Sequence, residues 1–446
     1  MTQKRQRARA SIFRAARGAI LALAGLCLYP YGAARADDET NPAEQSVARK
    51  DRGEQLSAEH RASTDKLDDT STKHASLQIA TYADDDHTTV FTPSVAGSVE
   101  NVTQGASIRG RYIVDVVSAA SADVISTASR RWTEVRQAGS VEAAYKPKTF
   151  GISLAGSVSS EPDYFSFGIG SEMSLDLDEK NTTLQAGFGY GHDTVGRCGA
   201  ENSPANTGPS CTSFSVFSRT INRTSFNAGL TQIIGKTTIG SLVLDVGLEN
   251  GDQSKPYRYV PMFSADVAPQ VPLGASIPYV TANRLPERPL EQLPLVKRRM
   301  SLTGRLAHRF EGSTLRFEER VYGDTWALFA STTDAKWVFD IGERVAFWPH
   351  ARFHGQSAVS FWKRAYVSGS APGWDLPVFR TGDRELGPLY TVTGGGGLYF
   401  YLGGGADMQK MRLTIQGDGA FTGFLDDLYL TKRTSFVGSI SFEAEL

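Results

Sequence analysis

The sequence lacks long apolar runs. Past its N-terminal leader, no stretch approaches the roughly 20 apolar residues that a membrane-spanning helix requires. Helical heptads and sustained 3.6-residue periodicity are missing as well, which leaves an all-β chain as the reading. Enzyme motifs are absent: there is no G-x-S-x-G elbow, no H-E-x-x-H and no phosphate loop. The histidines, His60, His74, His87, His192, His308, His350 and His354, are dispersed. Only His350 and His354 share a parity on one strand, and no Ser or Cys nucleophile stands at a fitting spacing, so an enzyme is not expected. A basic excess is missing too. Lys and Arg number 47 against 48 Asp and Glu, a balance that argues against nucleic acid as a partner.

Cysteine is scarce, with three in the chain. Cys27 falls in the leader, while Cys198 and Cys211 flank the loop CGAENSPANTGPSC. No His, Asp or Glu pattern completes a zinc site around them. In an oxidising compartment the pair is expected to form a loop disulfide, contributing roughly 3 kcal/mol at most by loop closure. No cofactor is implied.

What is present begins with a signal. Lys4, Arg5, Arg7, Arg9, Arg14 and Arg17 form a cationic region, Ala19 to Tyr29 an apolar one, and Ala34-Arg35-Ala36 a cleavage site. Residues 1–36 therefore read as an export signal of the Sec type. They hold seven basic residues and no acidic one, so the formal charge moves from −1 to −8 when they are removed. Residues 37–74 read as a disordered polar periplasmic tail, with almost nothing to bury.

From residue 75 to 446 the texture is alternating runs separated by turns. Sixteen strands are expected near 75–83, 88–100, 106–117, 133–145, 149–159, 164–177, 182–192, 223–234, 238–249, 299–310, 313–323, 326–340, 345–366, 388–402, 408–424 and 428–446. In SLTGRLAHRFEGSTLRFEERVY, Leu302, Leu306, Phe310, Phe317 and Val321 lie on one parity, Arg305, Arg309, Arg316 and Arg320 on the other. Burying both faces in a soluble core would desolvate those arginines at several kcal/mol each. Connections after even-numbered strands are short, and every long one (118–132, 193–222, 250–298, 367–387) follows an odd-numbered strand. A soluble sandwich has no reason for that sorting. An antiparallel transmembrane β-barrel of about sixteen strands has one, with short periplasmic turns and long extracellular loops. Its place would be the outer membrane of a Gram-negative bacterium, with membrane lipid as a partner. Tyr322, Trp326, Trp337, Trp348, Tyr399, Tyr401, Phe424 and Tyr429, near strand ends, are expected to form interfacial girdles. The last strand keeps Phe436, Ile440, Phe442 and Leu446 on one parity, as in the assembly signal read by the barrel-assembly machinery, with Leu446 where an aromatic residue is usual.

Several segments carry a resemblance. YADDDHTTV (82–90), YIVDVVSAASADVISTASRRWTEVR (112–136), GDQSKPYRYVPMF (251–263), RLPERPLEQLP (284–294), WPHARFHGQSAVSFWKRAYV (348–367), RTGDRELGP (380–388) and FLDDLYLTKRT (424–434) resemble an uncharacterised domain-of-unknown-function family of Gram-negative outer-membrane β-barrel proteins. The resemblance covers essentially the whole chain after residue 74. It implies fold and location, and brings no activity.

Three constellations could carry function. Arg109, Arg111, Arg136, Glu142, Glu172, Arg305, Arg309, Arg316, Glu318 and Arg320 fall on the inward parity and are the candidates to line a pore. The connection from Gly251 to Arg298 holds eight of nineteen prolines and a set of apolar residues, and is expected to fold into or across the mouth. Asp84, Asp85 and Asp86 in the first extracellular connection and Asp426 and Asp427 in the last become neighbours on closure, as a divalent-cation site or as a solvated, turn-capping rim. The function expected is a porin-like channel for small polar solutes. A plugged structural or surface-binding barrel working through its loops is the alternative. A hydrophobic-ligand transporter is disfavoured by the inward charges.

Overall fold

The computed structural model describes residues 71–119, 132–162, 164–197, 217–255, 258–369, 375–402 and 411–446. The signal over 1–36, nearly all of the polar tail, and both Cys198 and Cys211 lie outside them.

Sixteen strands close into one antiparallel barrel. They are β1 (Ser71–Asp84), β2 (Thr88–Asn101), β3 (Ala106–Ala119), β4 (Trp132–Tyr145), β5 (Phe150–Glu161), β6 (Tyr164–Leu177), β7 (Thr182–Arg197), β8 (Phe217–Gly235), β9 (Thr238–Gly251), β11 (Val296–Phe310), β12 (Ser313–Asp324), β13 (Phe329–Ile341), β14 (Val345–Gln356), β16 (Leu389–Leu402), β17 (Met411–Phe424) and β18 (Lys432–Glu445). Two short strands outside the barrel, β10 (Met262–Phe263) and β15 (Tyr366–Val367), pair in parallel. Each barrel strand pairs with its neighbours, and β1 returns to β18 in a register from His74↔Glu445 to Asp84↔Ser435. No sheet edge is left open, the condition for a sheet in hydrocarbon. Among the described residues no helix is long and apolar enough to cross a membrane.

Parity follows the sequence. Leu77, Val95, Ile152, Leu154, Ile169, Leu302, Phe317 and Ile440 are exposed on the outer face. A belt of that size would be an unsupportable apolar patch in water and meets lipid instead. One outward position departs from the rule. Glu319, in the middle of β12, accepts hydrogen bonds from the hydroxyls of Ser331 (2.6 Å) and Thr333 (2.5 Å) on β13, which satisfy the carboxylate locally.

All sixteen expected strands are present; several of their ends and the expected girdle need correcting, β7 and β8 among them running on to Arg197 and back to Phe217. The first strand starts at Ser71, because Ser71–Lys73 still find partners in Val99–Asn101 of β2. The strand expected over 345–366 stops at Gln356, because the chain then leaves the wall to bury Val359 and Tyr366 in loop cores. The last begins at Lys432, since Leu428 is buried against the 263–280 segment. The expected girdle is largely wrong. Trp326, Trp348, Tyr399 and Phe424 are buried, and Tyr322 and Tyr401 pack against inner clusters. Trp326 lies in the β12–β13 connection, and the parity of the others is the inward one, which proximity to a strand end does not reveal. Trp337 does face outward, and Tyr145, Phe150, Phe310 and Phe347 join it toward the short-turn end. Phe91, Phe165, Phe329 and Phe421 face outward nearer the long-loop end.

The lipid-facing assignment has a direct consequence. Leu154→Arg should destabilise the folded barrel by about 2–4 kcal/mol in lipid vesicles, the depth-dependent cost of a lipid-facing arginine. Ser153→Arg, one residue away on the inward parity, should cost far less. Urea-dependent folding into vesicles measures both, and equal costs would mean that the apolar face does not meet lipid.

Candidate functional site

All of the residues expected to line the lumen, Arg109, Arg111, Arg136, Glu142, Glu172, Arg305, Arg309, Arg316, Glu318 and Arg320, stand on the parity opposite the exposed apolar belt. Most of the charges brace the wall. Arg136 pairs with Asp115 on the adjacent strand (2.6 Å). Arg305 pairs with Glu318, and Arg309 with Asp340, each at 2.5 Å. Arg299 pairs with Glu249 (3.1 Å) and Arg320 donates to Ser301 Oγ (3.1 Å). Glu172 accepts from Gln185 at 3.5 Å. Arg109 and Arg111 are different: both are exposed to the lumen, and neither has an ion-pair or hydrogen-bond partner among the described residues.

A second lumen cluster escaped the sequence reading. His350 on β14 presents Nε2 to Asp334 of β13 (2.9 Å) and Nδ1 to Asp418 of β17 (2.8 Å), while Arg352 Nε also reaches Asp334 (3.0 Å). With a carboxylate at each ring nitrogen, both nitrogens donate, so the ring is a cationic brace between the two acids. Asp418 is two strands from His350, with β16 between them. The reach works because Gly395 occupies the intervening β16 position, where a Cβ would collide with Asp418. Close by, Lys336 Nζ sits 3.8 Å from the Trp348 ring centroid and donates to the Tyr399 hydroxyl at 2.6 Å. The parity shared by His350 and His354 was visible in the sequence. The acidic partners 16 and 68 residues away were not.

At the long-loop end, described parts of three connections form a cap: 252–255 with 258–295, 357–369 with 375–388, and 425–431. The first carries a short helix, α1 (Ile277–Asn283), whose N-cap Ser276 accepts from the Tyr279 N–H at 3.3 Å. It also meets the third directly, through Gly274 N–H to Asp427 O (3.1 Å) and Ala275 N–H to Leu428 O (2.6 Å). Gly274 is required here twice over: its φ is +65°, and a Cβ would stand 2.7 Å from Thr431 Cγ2. β17 is five strands from β11 around the ring of sixteen, so this contact crosses most of the barrel's diameter. The cap has its own apolar interior, with Phe263, Val271, Val280 and Leu428 in one group and Val260, Met262 and Tyr366 in another.

An ionic knot ties the first two connections together. Arg258 pairs with Asp383 (2.5 Å) and Glu291 (3.4 Å), and Lys255 Nζ with Asp383 (3.2 Å). Thr381 Oγ1 and the Lys255 N–H both donate to Glu291, at 2.5 and 3.1 Å. Burial pushes the Asp383 carboxyl up, but Arg258 and Lys255 more than offset it and hold the group well below the usual carboxylate range. Burial, reinforced by Arg258, lowers the Lys255 ammonium. Burial likewise pushes the Tyr366 phenol up to about 12; its hydroxyl accepts from the Thr381 N–H and donates to Phe361 O.

The acidic rim does not assemble into a cation site. Asp84 accepts from the Tyr82 hydroxyl and the Thr88 N–H, and Asp85 from the Thr434 N–H. Asp86 pairs with Arg384 (2.7 Å) and Asp426 with Arg364 (2.8 Å), while Asp427 caps the N–H groups of Tyr429 and Leu430. Among the described residues no group of three or more His, Cys, Asp or Glu is placed to hold a metal ion. The turns and the guanidinium groups take up the acids first.

Five of the seven segments that carried the sequence resemblance supply cap residues, among them Arg258, Glu291, Tyr366, Asp383 and Asp427, and a sixth supplies Asp86, which pairs with Arg384 of the cap. A family model described as "Protein of unknown function (DUF3570)" matches residues 129–413. No curated protein matches the chain. Among solved structures, the siderophore receptor PirA from Acinetobacter baumannii is similar at 9% identity and a TM-score of 0.41, over 81% of this chain and 54% of that one. The chain thus spans about half the length of that receptor. A BenF-like porin from Pseudomonas fluorescens Pf-5 is similar at 8% identity and a TM-score of 0.39, over 85% of this chain and 100% of that one. The CymD monoaromatic hydrocarbon channel is similar at 9% identity and a TM-score of 0.38, over 85% and 89% of the two chains.

The ionic knot sets the cap's stability. Asp383→Asn removes the acid between Arg258 and Lys255 and should loosen the cap by roughly 3–5 kcal/mol, the cost of leaving a buried charge without its partner. The barrel ladder should remain intact. The pH dependence has a definite sign. A carboxyl whose folded pKa is depressed contributes stability that is complete at neutral pH. That contribution starts to decline below the ordinary value of 3.8 and is lost as pH falls through the folded one. Hydrogen exchange over 258–295 should therefore be slow in the wild type at pH 7, faster in strong acid, and already fast at pH 7 in Asp383→Asn. Equal exchange in variant and wild type at pH 7 would remove the knot's assigned role.

Proposed function

The chain belongs to the DUF3570 family of proteins of unknown function, and we propose that it is a capped outer-membrane channel for small polar solutes. The observation that carries this reading is a contrast in exposure. In the knot of the cap, the Arg258 and Glu291 side chains are 5% and 0% exposed. In the lumen wall, those of Arg305, Arg309 and Arg352 are 42%, 44% and 50% exposed, although each has an acidic partner. A lumen filled for stiffness would bury such groups. Charged side chains that reach solvent inside a closed barrel line a wet path. The cap would set access to that path, and the charged wall the choice of solute.

The same reading gives the neighbouring features their parts. The signal over 1–36 would direct export, and Cys198 with Cys211 would bridge the β7–β8 connection. The outward parity of β18, with Phe436, Ile440 and Phe442, would be the strand the assembly machinery recognises. No covalent chemistry is assigned. A second reading, a surface-binding barrel, is favoured by one observation: the segments that carry the family resemblance converge in the cap, a folded unit with its own core.

Single-channel recording in planar bilayers separates the two. The folded protein should give discrete conductance steps that change with Arg305→Ala or Arg316→Ala, and Asp383→Asn should raise the open probability severalfold. Silence from both the wild type and Asp383→Asn, with folding confirmed by heat-modifiable gel mobility, would mean a closed lumen and place the function on the cap's outer surface.

A further inference from the structure

Among the described residues, two of the lumen's arginines hold no partner. Arg136, Arg305, Arg309, Arg352 and Arg412 each hold a carboxylate of another strand, so their charge is neutralised in place and stiffens the wall. Arg109 and Arg111, on the same face of β3, hold none among the described residues. In the register, Arg109 lies beside Ser98 of β2 and Glu142 of β4, and Arg111 beside Ala96 and Ser140. Glu142, directly opposite Arg109 in the register, has an interaction of its own. Around the two guanidiniums the inward parity on β2 to β5 carries Ser94, Ser98, Ser107, Ser140, Ser153 and Ser157, with Glu100 and Glu142 as the acids nearest Arg109.

Their spacing suits a ligand. Two residues along a strand separates the Cα atoms by about 7 Å, and both side chains leave the same face. Two planar forks at that spacing can close on one oxyanion, each offering paired N–H donors. The hydroxyls beside them can donate to its remaining oxygens. The site also lies opposite other arginines. β3 and β12 are eight places apart in the ring of sixteen, which puts Arg109 and Arg111 directly across the lumen from the wall that bears Arg316 and Arg320. Low-dielectric walls focus such a field, and an unneutralised pair facing further cations attracts anions along the path.

We propose that Arg109 and Arg111 form an oxyanion-binding step in the lumen, and that the solutes of this barrel are small molecules bearing a carboxylate or phosphate group. The statement about solutes rests on the channel reading, while the binding step does not.

The test uses the folded full-length barrel, with inorganic phosphate and acetate as probes. Reversal potentials under a tenfold KCl gradient should show anion preference in the wild type, and Arg109→Gln/Arg111→Gln should abolish it. Calorimetric titration should show phosphate binding weakened about tenfold or more by the same double variant, the loss expected for removing charged hydrogen-bond donors. Acetate binding should fall in parallel; loss confined to phosphate would narrow the solutes to phosphate esters and still support the site. Arg298→Gln, which deletes a positive charge from the outward parity of β11, should alter neither measurement. Should the glutamine pair fail to fold, Arg109→Lys/Arg111→Lys keeps the charge and removes the forks, so anion preference should persist while phosphate binding weakens. A bilayer that stays silent, with phosphate binding lost only in the double variant, would end the channel reading and leave the oxyanion site standing. Phosphate binding that is absent from the wild type, or the same in the wild type and the double variant, would overturn the site itself.

Discussion

Everything in this molecule depends on one constraint: in hydrocarbon, no backbone N–H or C=O can be left without a partner. The pairing of β1 with β18 meets it. Once the sheet is closed, the pleat sends alternate side chains to opposite solvents, and a single register sorts apolar from charged residues over the whole wall. A slip of one residue at closure would place Phe436, Ile440 and Phe442 in the lumen and Glu443 and Glu445 in lipid. The register is thus fixed by solvation as much as by hydrogen bonding.

Closure also creates the problem the lumen has to solve. Side chains on the inner wall cannot retreat to bulk water as freely as on an open surface, so their charges are satisfied sideways, by neighbours on adjacent strands. Arg136 with Asp115 and Arg305 with Glu318 do this across one ladder. The His350 brace does it across two, and needs a glycine to pass. Pairs of this kind contribute modestly where they are exposed. Their effect is to hold the wall's shape and to cancel its field, which is why a wall rich in charge need not be strongly selective. In a channel, selectivity would fall to the charges that are not cancelled.

How much of this could be read from the chain follows from the range of the interactions. Period-2 alternation is local, so sixteen strands, their faces and the sorting of loop lengths were all legible in the sequence, with errors of up to ten residues where a strand end is claimed by the cap. Tyr366 looked like the continuation of β14 because it lies on an alternating run; it is instead the buried partner of Met262, more than a hundred residues away. The aromatic girdle was misread for a related reason. Nearness to a strand end is a local property, but Trp348 and Tyr399 keep the inward parity and fill the lumen around Lys336. The acidic rim failed on competition: five aspartates close in space are also five acceptors, and turn N–H groups, Arg364 and Arg384 claimed four of them before any cation could, with the Tyr82 hydroxyl and the Thr88 N–H on the fifth. The knot of Lys255, Arg258, Glu291 and Asp383 had no sequence signal beyond membership in segments that carried the resemblance.

Cap and barrel are held by different physics, and on the channel reading that difference would let the cap act as a gate. The barrel rests on a closed ladder with no weak edge, so no part of it can open without breaking the ring. The cap rests on side chains: two small apolar groups, a two-residue parallel pairing, and an ionic knot in which Lys255, Arg258 and Glu291 are buried and Asp383 is largely so. Buried ion pairs contribute little net stability when intact and cost several kcal/mol when one member is lost. A unit built that way has a sharp response to the loss of a single charge and little reserve beyond it. The wall below it would be untouched by such a change. On the channel reading, access and selection would therefore be separable, the first set by Asp383 and its partners at the mouth, the second by Arg109 and Arg111, which no described carboxylate has claimed.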